Sequence, residues 1–527
     1  YNPQGGDAFE FIEVQNSGDA ELDLSGFSLD GITFRFAESS PPLAAGARLL
    51  LVNDANVGAF RGRYPGVRIG GLYEGSLSNR GERLALIDRN GETVLSVDYK
   101  DRGAWPSEAD GDGYSLVLAN ADGDPDAPAN WRASLAKGGT PGKPSADTPE
   151  PLVVINEVLT HTDPPYEDAI ELRNLGEEPL DIGKWWLSNS RSKLRKYQIP
   201  AGTTLPARGT TVFYEHQFNP APGADHSFAL NSAHGDKVIL SAADSGGDLT
   251  GYRITVEFDA AENGVSFGLI KTSQGDQFVT LSRPTFGVSQ PVTLAAFRKG
   301  TGEANSGPSV GPVVLHEIMY HPAPLPHGAG TPNDEFIELR NITNRSVPLY
   351  DPLHPVNTWR IDGGVNYEFP VGTRLAAGQY ALVVEFDPVK EPEQAKRWAK
   401  RYDIPEGSTL FGPMRGNLSN RGDTVRLYKP DPPQGPDRED AGFVPYILVD
   451  RVKFRDSAPW PSQADGRGAT LQRKTGTAFG NDPVNWKADA PTPGRDNRRS
   501  EGEDSDGDGI PDEWEEANGL NPIVAAD

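Results

Sequence analysis

Apolar and polar residues alternate in short runs along most of this chain, and the same runs return in the same order three times. A two-residue period over four to eight positions predicts a half-buried strand. Phe11-Ile-Glu-Val-Gln-Asn16, Ala169-Ile-Glu-Leu-Arg-Asn174 and Phe336-Ile-Glu-Leu-Arg-Asn341 are one such strand in three copies. Ile12 and Val14 are expected to point inward and Glu13 and Gln15 outward, with Asn16 turning the chain. Val153-Val-Ile-Asn-Glu-Val158 and Val313-Val-Leu-His-Glu-Ile318 open copies two and three. An aromatic strand follows in each copy, led by Phe27, Trp185 and Trp359, and this ring is expected to plug a core between two sheets. Leu-x-x-Gly turns ending at Gly46, Gly209 and Gly378 then feed the hydrophobic strands 49–52, 211–214 and 380–384. Short helices are expected around Ala55–Tyr64 and Glu393–Tyr402.

Longer motifs repeat with fixed spacing. Gly75-Ser-Leu-Ser-Asn-Arg-Gly-Glu82 returns as Gly416-Asn-Leu-Ser-Asn-Arg-Gly-Asp423 and, more loosely, as Phe228-Ala-Leu-Asn-Ser-Ala-His-Gly-Asp236. Trp105-Pro-Ser and Trp460-Pro-Ser are each followed 25 residues later by Asn-Trp, at Asn130-Trp131 and Asn485-Trp486. The repeats divide the chain into 1–145, 151–292 and 311–496, with a Pro- and acid-rich linker at 145–151 and a flexible connector near 299–308. Copy three also inserts Lys429–Asp440 at a hairpin tip, where an insertion leaves the sheet intact. The predicted fold is all-β: three tandem β-sandwiches, then a short C-terminal loop and helix over 503–520. The first copy begins at Tyr1-Asn-Pro where the third has Tyr320-His-Pro. Its opening strand is therefore expected to be missing, and the sequence to be a piece of a larger protein with any export signal outside it.

These motifs resemble the bacterial form of the lamin tail domain, an immunoglobulin-like sandwich, over about nine-tenths of the chain. The resemblance implies a domain without a general catalytic role, set in large exported or surface proteins, often beside spore-coat-type kinase-like or hydrolase domains.

Composition narrows the function. Gly 59 and Pro 46 suit a turn-rich β protein, and no run reaches the length of a membrane span. With 50 basic and 75 acidic residues the net charge is −25, which disfavours nucleic acid and anionic lipid. Cysteine is absent, so disulfide and thiolate chemistry are excluded.

Four motifs invite a chemical reading and gain little from context. Gly264-Val-Ser-Phe-Gly268 fits a nucleophile elbow but lies among strands, matching Gly113-Tyr-Ser and Gly468-Ala-Thr. Arg421-Gly-Asp423 matches Arg80-Gly-Glu82 and His234-Gly-Asp236, an acid-ended turn before a strand. His316-Glu317 with His321 and His327 has zinc-type ligands, but strand neighbours face opposite ways. The sequons at Asn341, Asn344 and Asn417 matter only in a eukaryotic secretory route. Tyr73 and Trp398 are read either as sugar-stacking rings or as cover for a core.

The C-terminal run is of another kind. Asp504-Ser-Asp506-Gly-Asp508-Gly-Ile510-Pro-Asp512-Glu-Trp-Glu515 fits the calcium-loop pattern. Asp504, Asp506 and Asp508 supply carboxylates, Ile510 its carbonyl, Asp512 a direct or water-borne contact and Glu515 a bidentate one. Gly509 permits the turn. The run resembles the single loops of dockerin-like and thrombospondin type 3 repeats, which trail bacterial extracellular proteins. Calcium is the expected cofactor, and the expected location is extracellular or at the cell surface. The reading that results is a non-catalytic array with no nucleic-acid or membrane partner, acting as a spacer or as a stalk for a protein or polysaccharide ligand. The alternative is the accessory region of an extracellular enzyme whose catalytic domain lies outside this sequence.

Overall fold

In the computed structural model the described residues are 1–497 apart from 104, 120, 122, 135, 144–152, 325–333 and 437. Two compact units are present: Tyr1–Ser309 with Pro433–Ile447, and Val310–Pro432 with the residues from Leu448 onward. Nearly every element is a strand, as the two-residue period demands.

In the second unit, the opening strand Val313–Met319 lies between Phe336–Asn341 and Thr470–Arg473 in a six-stranded sheet. The facing sheet runs from Arg415–Gly416 through Arg360–Gly363 to Gly422–Pro430 and Tyr446–Arg455. Leu315, Ile318, Ile337 and Leu339 from one sheet meet Ile361, Val425, Leu427 and Phe454 from the other in one buried cluster. Each such side chain contributes about 1.5–3 kcal/mol when fully buried. This is the immunoglobulin-like sandwich, two sheets sharing one core.

The first unit repeats the plan twice. Val153–Leu159 lies between Ala169–Asn174 and Ser266–Thr272, over a sheet ending in the long hairpin Asp236–Ala243 and Leu249–Phe258. In copy one, Phe11–Gln15 pairs with Arg48–Asn53 across from the sheet of Gly81–Ile87 and Thr93–Lys100. Helices Val57–Arg63 and Pro392–Arg401 stand at the expected places. Segment Pro433–Ile447, most of the copy-three insertion, belongs to this first unit. There Asp440 pairs with His234 at 2.9 Å and Phe443 stacks on the same imidazole at 4.0 Å.

Side-chain bonds repeat with the strands. Asn16, Asn174 and Asn341 each end the same strand, donate to carbonyls of Leu43, Leu205 and Leu375, and accept from the N–H two residues on. The matched tryptophans are equivalent too: Trp105–Trp131 centroids lie 5.9 Å apart and Trp460–Trp486 6.2 Å. Trp131 and Trp486 both donate Nε1 to the carbonyl six residues earlier, at 2.7 Å. Phe27 and Trp359 are buried plugs, and Trp185 packs half-buried against the core of copy two.

Candidate functional site

The calcium-loop ligands Asp504, Asp506, Asp508, Ile510, Asp512 and Glu515 lie outside the described residues, as does His327. The polar chemistry within them gathers on the outer face of the first sheet, around the opening strand. That strand carries a bulge. Leu315 pairs with Leu339 and Glu317 with Glu338, leaving His316 as the extra residue; Asn156 is the extra residue in copy two. A bulge breaks the alternation of faces. His316 and Glu317 therefore share one face, contrary to the strand rule that set them apart.

The result is a row of buried acids. In copy three, His316 Nδ1 is 2.7 Å from Glu338 Oε1, and Glu317 accepts from Thr470 Oγ1 at 2.5 Å and from the Thr492 N–H at 2.9 Å. In copy two, Asn156 donates to Glu171 at 2.6 Å, and Glu157 accepts from Ser266 Oγ at 2.6 Å and the Thr285 N–H at 2.9 Å. All four glutamates are fully buried. The expectation that this face points to solvent fails there, because each copy lays its own closing segment over it. Gly494 N–H bonds Glu338, and Asn497 reaches the carbonyls of His316 and Arg473. In copy two the stretch read as a connector is part of the cover: Glu303 N–H bonds the Thr285 carbonyl, and Asn305 bonds Asn156 and Leu269. Copy one keeps a reduced form, with Glu13 accepting from Gly142 N–H at 2.8 Å.

Burial decides the charge of this row. It raises the pKa of Glu157 and Glu317, pushes Glu171 up to about 8 and holds Glu338 well above the usual carboxylate range. His316 moves the other way, to about 3, through burial and the positive charges of Arg340 and Arg473. His316 and Glu338 form a buried, hydrogen-bonded structural pair. His321 is engaged elsewhere, 2.5 Å from Asp465. Among the described residues no group of three or more His, Cys, Asp or Glu is arranged to hold a metal ion.

A second acid recurs just before the neighbouring strand, Phe11–Gln15, Ala169–Asn174 or Phe336–Asn341. Glu10, Asp168 and Glu335 accept from the backbone of Leu77, Leu230 and Leu418, the leucines of the repeated turn. Burial raises the pKa of all three, Asp168 to about 8 and Glu335 to about 7. The turn closes on itself with another acid: Glu82, Asp236 and Asp423 accept from the N–H of Ser78, Asn231 and Ser419. Arg421-Gly-Asp423 is thus an acid-closed turn. These acids were visible as repeated letters, but only the fold shows which backbone groups they satisfy.

Residues 1–101 and 146–257 match the lamin tail domain family. No curated protein matches the chain. A crystal structure of a DUF4876 family protein from Bacteroides thetaiotaomicron is similar over 64% of this chain and 92% of that one, at 11% identity and a TM-score of 0.22. Both matched segments lie within immunoglobulin-like β-sandwiches.

The remaining motifs resolve within the sandwiches. Ser266 of Gly264-Val-Ser-Phe-Gly268 is fully buried on a strand and bonded to Glu157, so it presents no nucleophile. Tyr73 and Trp398 are core rings, 0% and 3% exposed, not sugar platforms. Asn341 is buried with its amide consumed, which removes that sequon from solvent. One groove of about 270 Å³ lies in the first unit, lined by Thr210, Tyr214, His216 and Arg298 among others. Beside it Glu167 takes both Arg298 Nε at 2.6 Å and His216 at 2.9 Å. Burial raises the pKa of Glu167, but these two partners outweigh it and the net shift is downward. Nothing in the sequence pointed to this trio, whose members lie 49 and 131 residues apart.

Proposed function

We propose that the chain is a non-catalytic structural and interaction array of an exported bacterial multidomain protein, a spacer or stalk for a protein or polysaccharide ligand, ending in a calcium-stabilised joint. The observation that carries the reading is the repeated use of buried acids. Glu157, Glu171, Glu317 and Glu338 are spent on closing their own sandwiches, and Glu167, His216 and Arg298 beside the groove of copy two are bonded to one another. Such groups contribute to holding a shape and not to turnover. The net charge of −25 keeps such an array soluble and away from anionic lipid.

The joint is assigned to Asp504, Asp506, Asp508, Ile510, Asp512 and Glu515. Their hard oxygens suit Ca²⁺, and a single unpaired loop of this kind binds at the weak extracellular end, about 10⁻⁴–10⁻³ M. Calorimetric titration of Ca²⁺ into the chain is expected to show one such site, lost in the double variant Asp504→Ala, Asp508→Ala. Equal heats for both proteins would remove calcium from the proposal.

A further inference from the structure

Arg48–Asn53, Thr210–Tyr214 and Tyr380–Val384 are one strand in three copies, bonded on the inner side to Phe11–Gln15, Ala169–Asn174 and Phe336–Asn341. The outer side differs. In copy one the strand also pairs with Gly71–Tyr73, and in copy three with Thr409–Phe411, both in parallel. In copy two Thr210–Tyr214 ends its sheet, and among the described residues no strand pairs with its outer edge. The sequence that follows explains the difference. Helices Val57–Arg63 and Pro392–Arg401 lead into the added strands of copies one and three. Copy two has only the turn Glu215–Phe218, and Pro220 and Pro222 after it have no N–H to give a ladder. Exposure follows the pairing: Val212 and Tyr214 keep 8% and 4%, against 2% and 0% for Leu50 and Val52 and 1% and 0% for Leu382 and Val384.

Asn174 N–H bonds the Gly209 carbonyl and Glu215 N–H bonds the Asp168 carbonyl, so residues 209, 211, 213 and 215 bond inward. The main-chain groups of Thr210, Val212 and Tyr214 therefore face the open side, where the Tyr214 N–H is taken by Gln217 Oε1 at 2.8 Å. In the other copies the matching outward carbonyls of Leu50 and Val384 accept from Gly70 at 2.7 Å and Met414 at 2.9 Å. The groove of about 270 Å³ is lined by Thr210, Val212 and Tyr214 of this edge and by the basic groups Arg298 and His216. None of the described residues lining it is an acid, although the chain carries a net −25. Glu167 holds both basic groups, taking Arg298 Nε and Nη2 at 2.6 and 2.8 Å and His216 Nδ1 at 2.9 Å. Those bonds leave the guanidinium Nη1 for a ligand.

We propose that the outer edge of Thr210–Tyr214 is a docking site for an extended acidic peptide of a partner protein. The peptide takes the place that Gly71–Tyr73 and Thr409–Phe411 hold in the other copies. Its main chain pairs with Thr210 and Val212, and this strand addition supplies the affinity. A carboxylate on its groove side meets Arg298 in a charge-assisted bond, stronger than a neutral one. Glu167 already orients the guanidinium, so little side-chain freedom is lost on binding. The site rests on the reading of the chain as a ligand-binding array and gives that array's protein ligand a place.

The test adds three labelled peptides to the full chain: Thr-Glu-Val-Glu-Val-Glu-Thr, a neutral form with Gln for each Glu, and a form with Pro-Pro for the central Glu-Val. The acidic peptide is expected to bind about fivefold tighter than the neutral one. The proline form is expected not to bind, because one of two adjacent prolines faces the edge in either register. At saturation with the acidic peptide, amide exchange is expected to slow about tenfold at Thr210 and Val212 and to stay unchanged at Thr211 and Phe213, which already bond inward. Arg298→Gln is expected to bring the acidic and neutral peptides to equal affinity. Equal affinities in the unaltered chain would overturn the acidic partner, and binding without slowing at Thr210 and Val212 would overturn strand addition. Slowing there on raising the protein concentration alone would overturn the peptide in favour of a second copy of this chain. Failure of every peptide to bind would overturn the site while leaving the spacer form of the array standing.

Discussion

Asp450 and Glu171 are both shut away from water, and they are held in opposite ways. Asp450 faces the fully buried Arg473, with Nη1–Oδ2 at 2.6 Å, and also accepts from the Leu315 N–H at 2.9 Å. Removing the cation leaves a buried acid without its partner, so Arg473→Ala is expected to cost about 3–5 kcal/mol in denaturant unfolding. Glu171 has no cation of this kind, and burial pushes its pKa up to about 8 from the ordinary value of 4.5. The folded chain then binds more protons than the unfolded one between those values. Its contribution to stability is full below about pH 4.5 and is lost as the pH rises through about 8. Glu171→Gln is expected to flatten that loss and to raise the unfolding midpoint at pH 8, read from melts at pH 5 and pH 8. Alternation set Glu13 apart from the core-facing Ile12 and Val14. It did not show that its counterparts Glu171 and Glu338 are buried, since alternation reports which face a residue takes and not what another segment lays over it.

At the scale of elements, strands and helices followed their periodicity closely because each buries one side of a short, regular run. The opening strand did not, since its bulge inserts Asn156 or His316 and breaks the period where the chemistry sits. Closing segments were missed for a related reason. Residues 492–497 bind through single side chains and N–H groups, and 285–305 add to such bonds only the isolated rings of Phe286 and Phe297, too few to make a regular apolar period. Their importance is open to measurement. Thr285 donates both its N–H and its hydroxyl to Glu157. Thr285→Val removes the hydroxyl at nearly constant shape and leaves a buried acceptor short of a donor, a loss of about 1–3 kcal/mol. Hydrogen exchange is expected to quicken first across residues 285–305, ahead of the central strands.

For the whole molecule, the partition into two compact units predicts stepwise unfolding, because cooperativity seldom spans separate cores. Calorimetry should resolve at least two transitions, and Arg473→Ala should lower the one belonging to the second unit alone. A single transition shifted as a whole by that variant would refute the partition. The copy-three insertion was expected only to spare its sheet; its place beside His234 depends on Asp440 and Phe443 meeting a ring 206 residues away, which no local pattern encodes. Glu317 bears on how such a chain responds to mechanical load. It sits on the first strand of copy three and grips Thr492 near the last residues of the same copy. A pull applied to the two ends of that copy arrives at one carboxyl group from both directions. Yielding then begins by peeling residues 492–497 from the sheet, a short reversible give that spares Leu315, Ile337 and the rest of the apolar interior until the force climbs further.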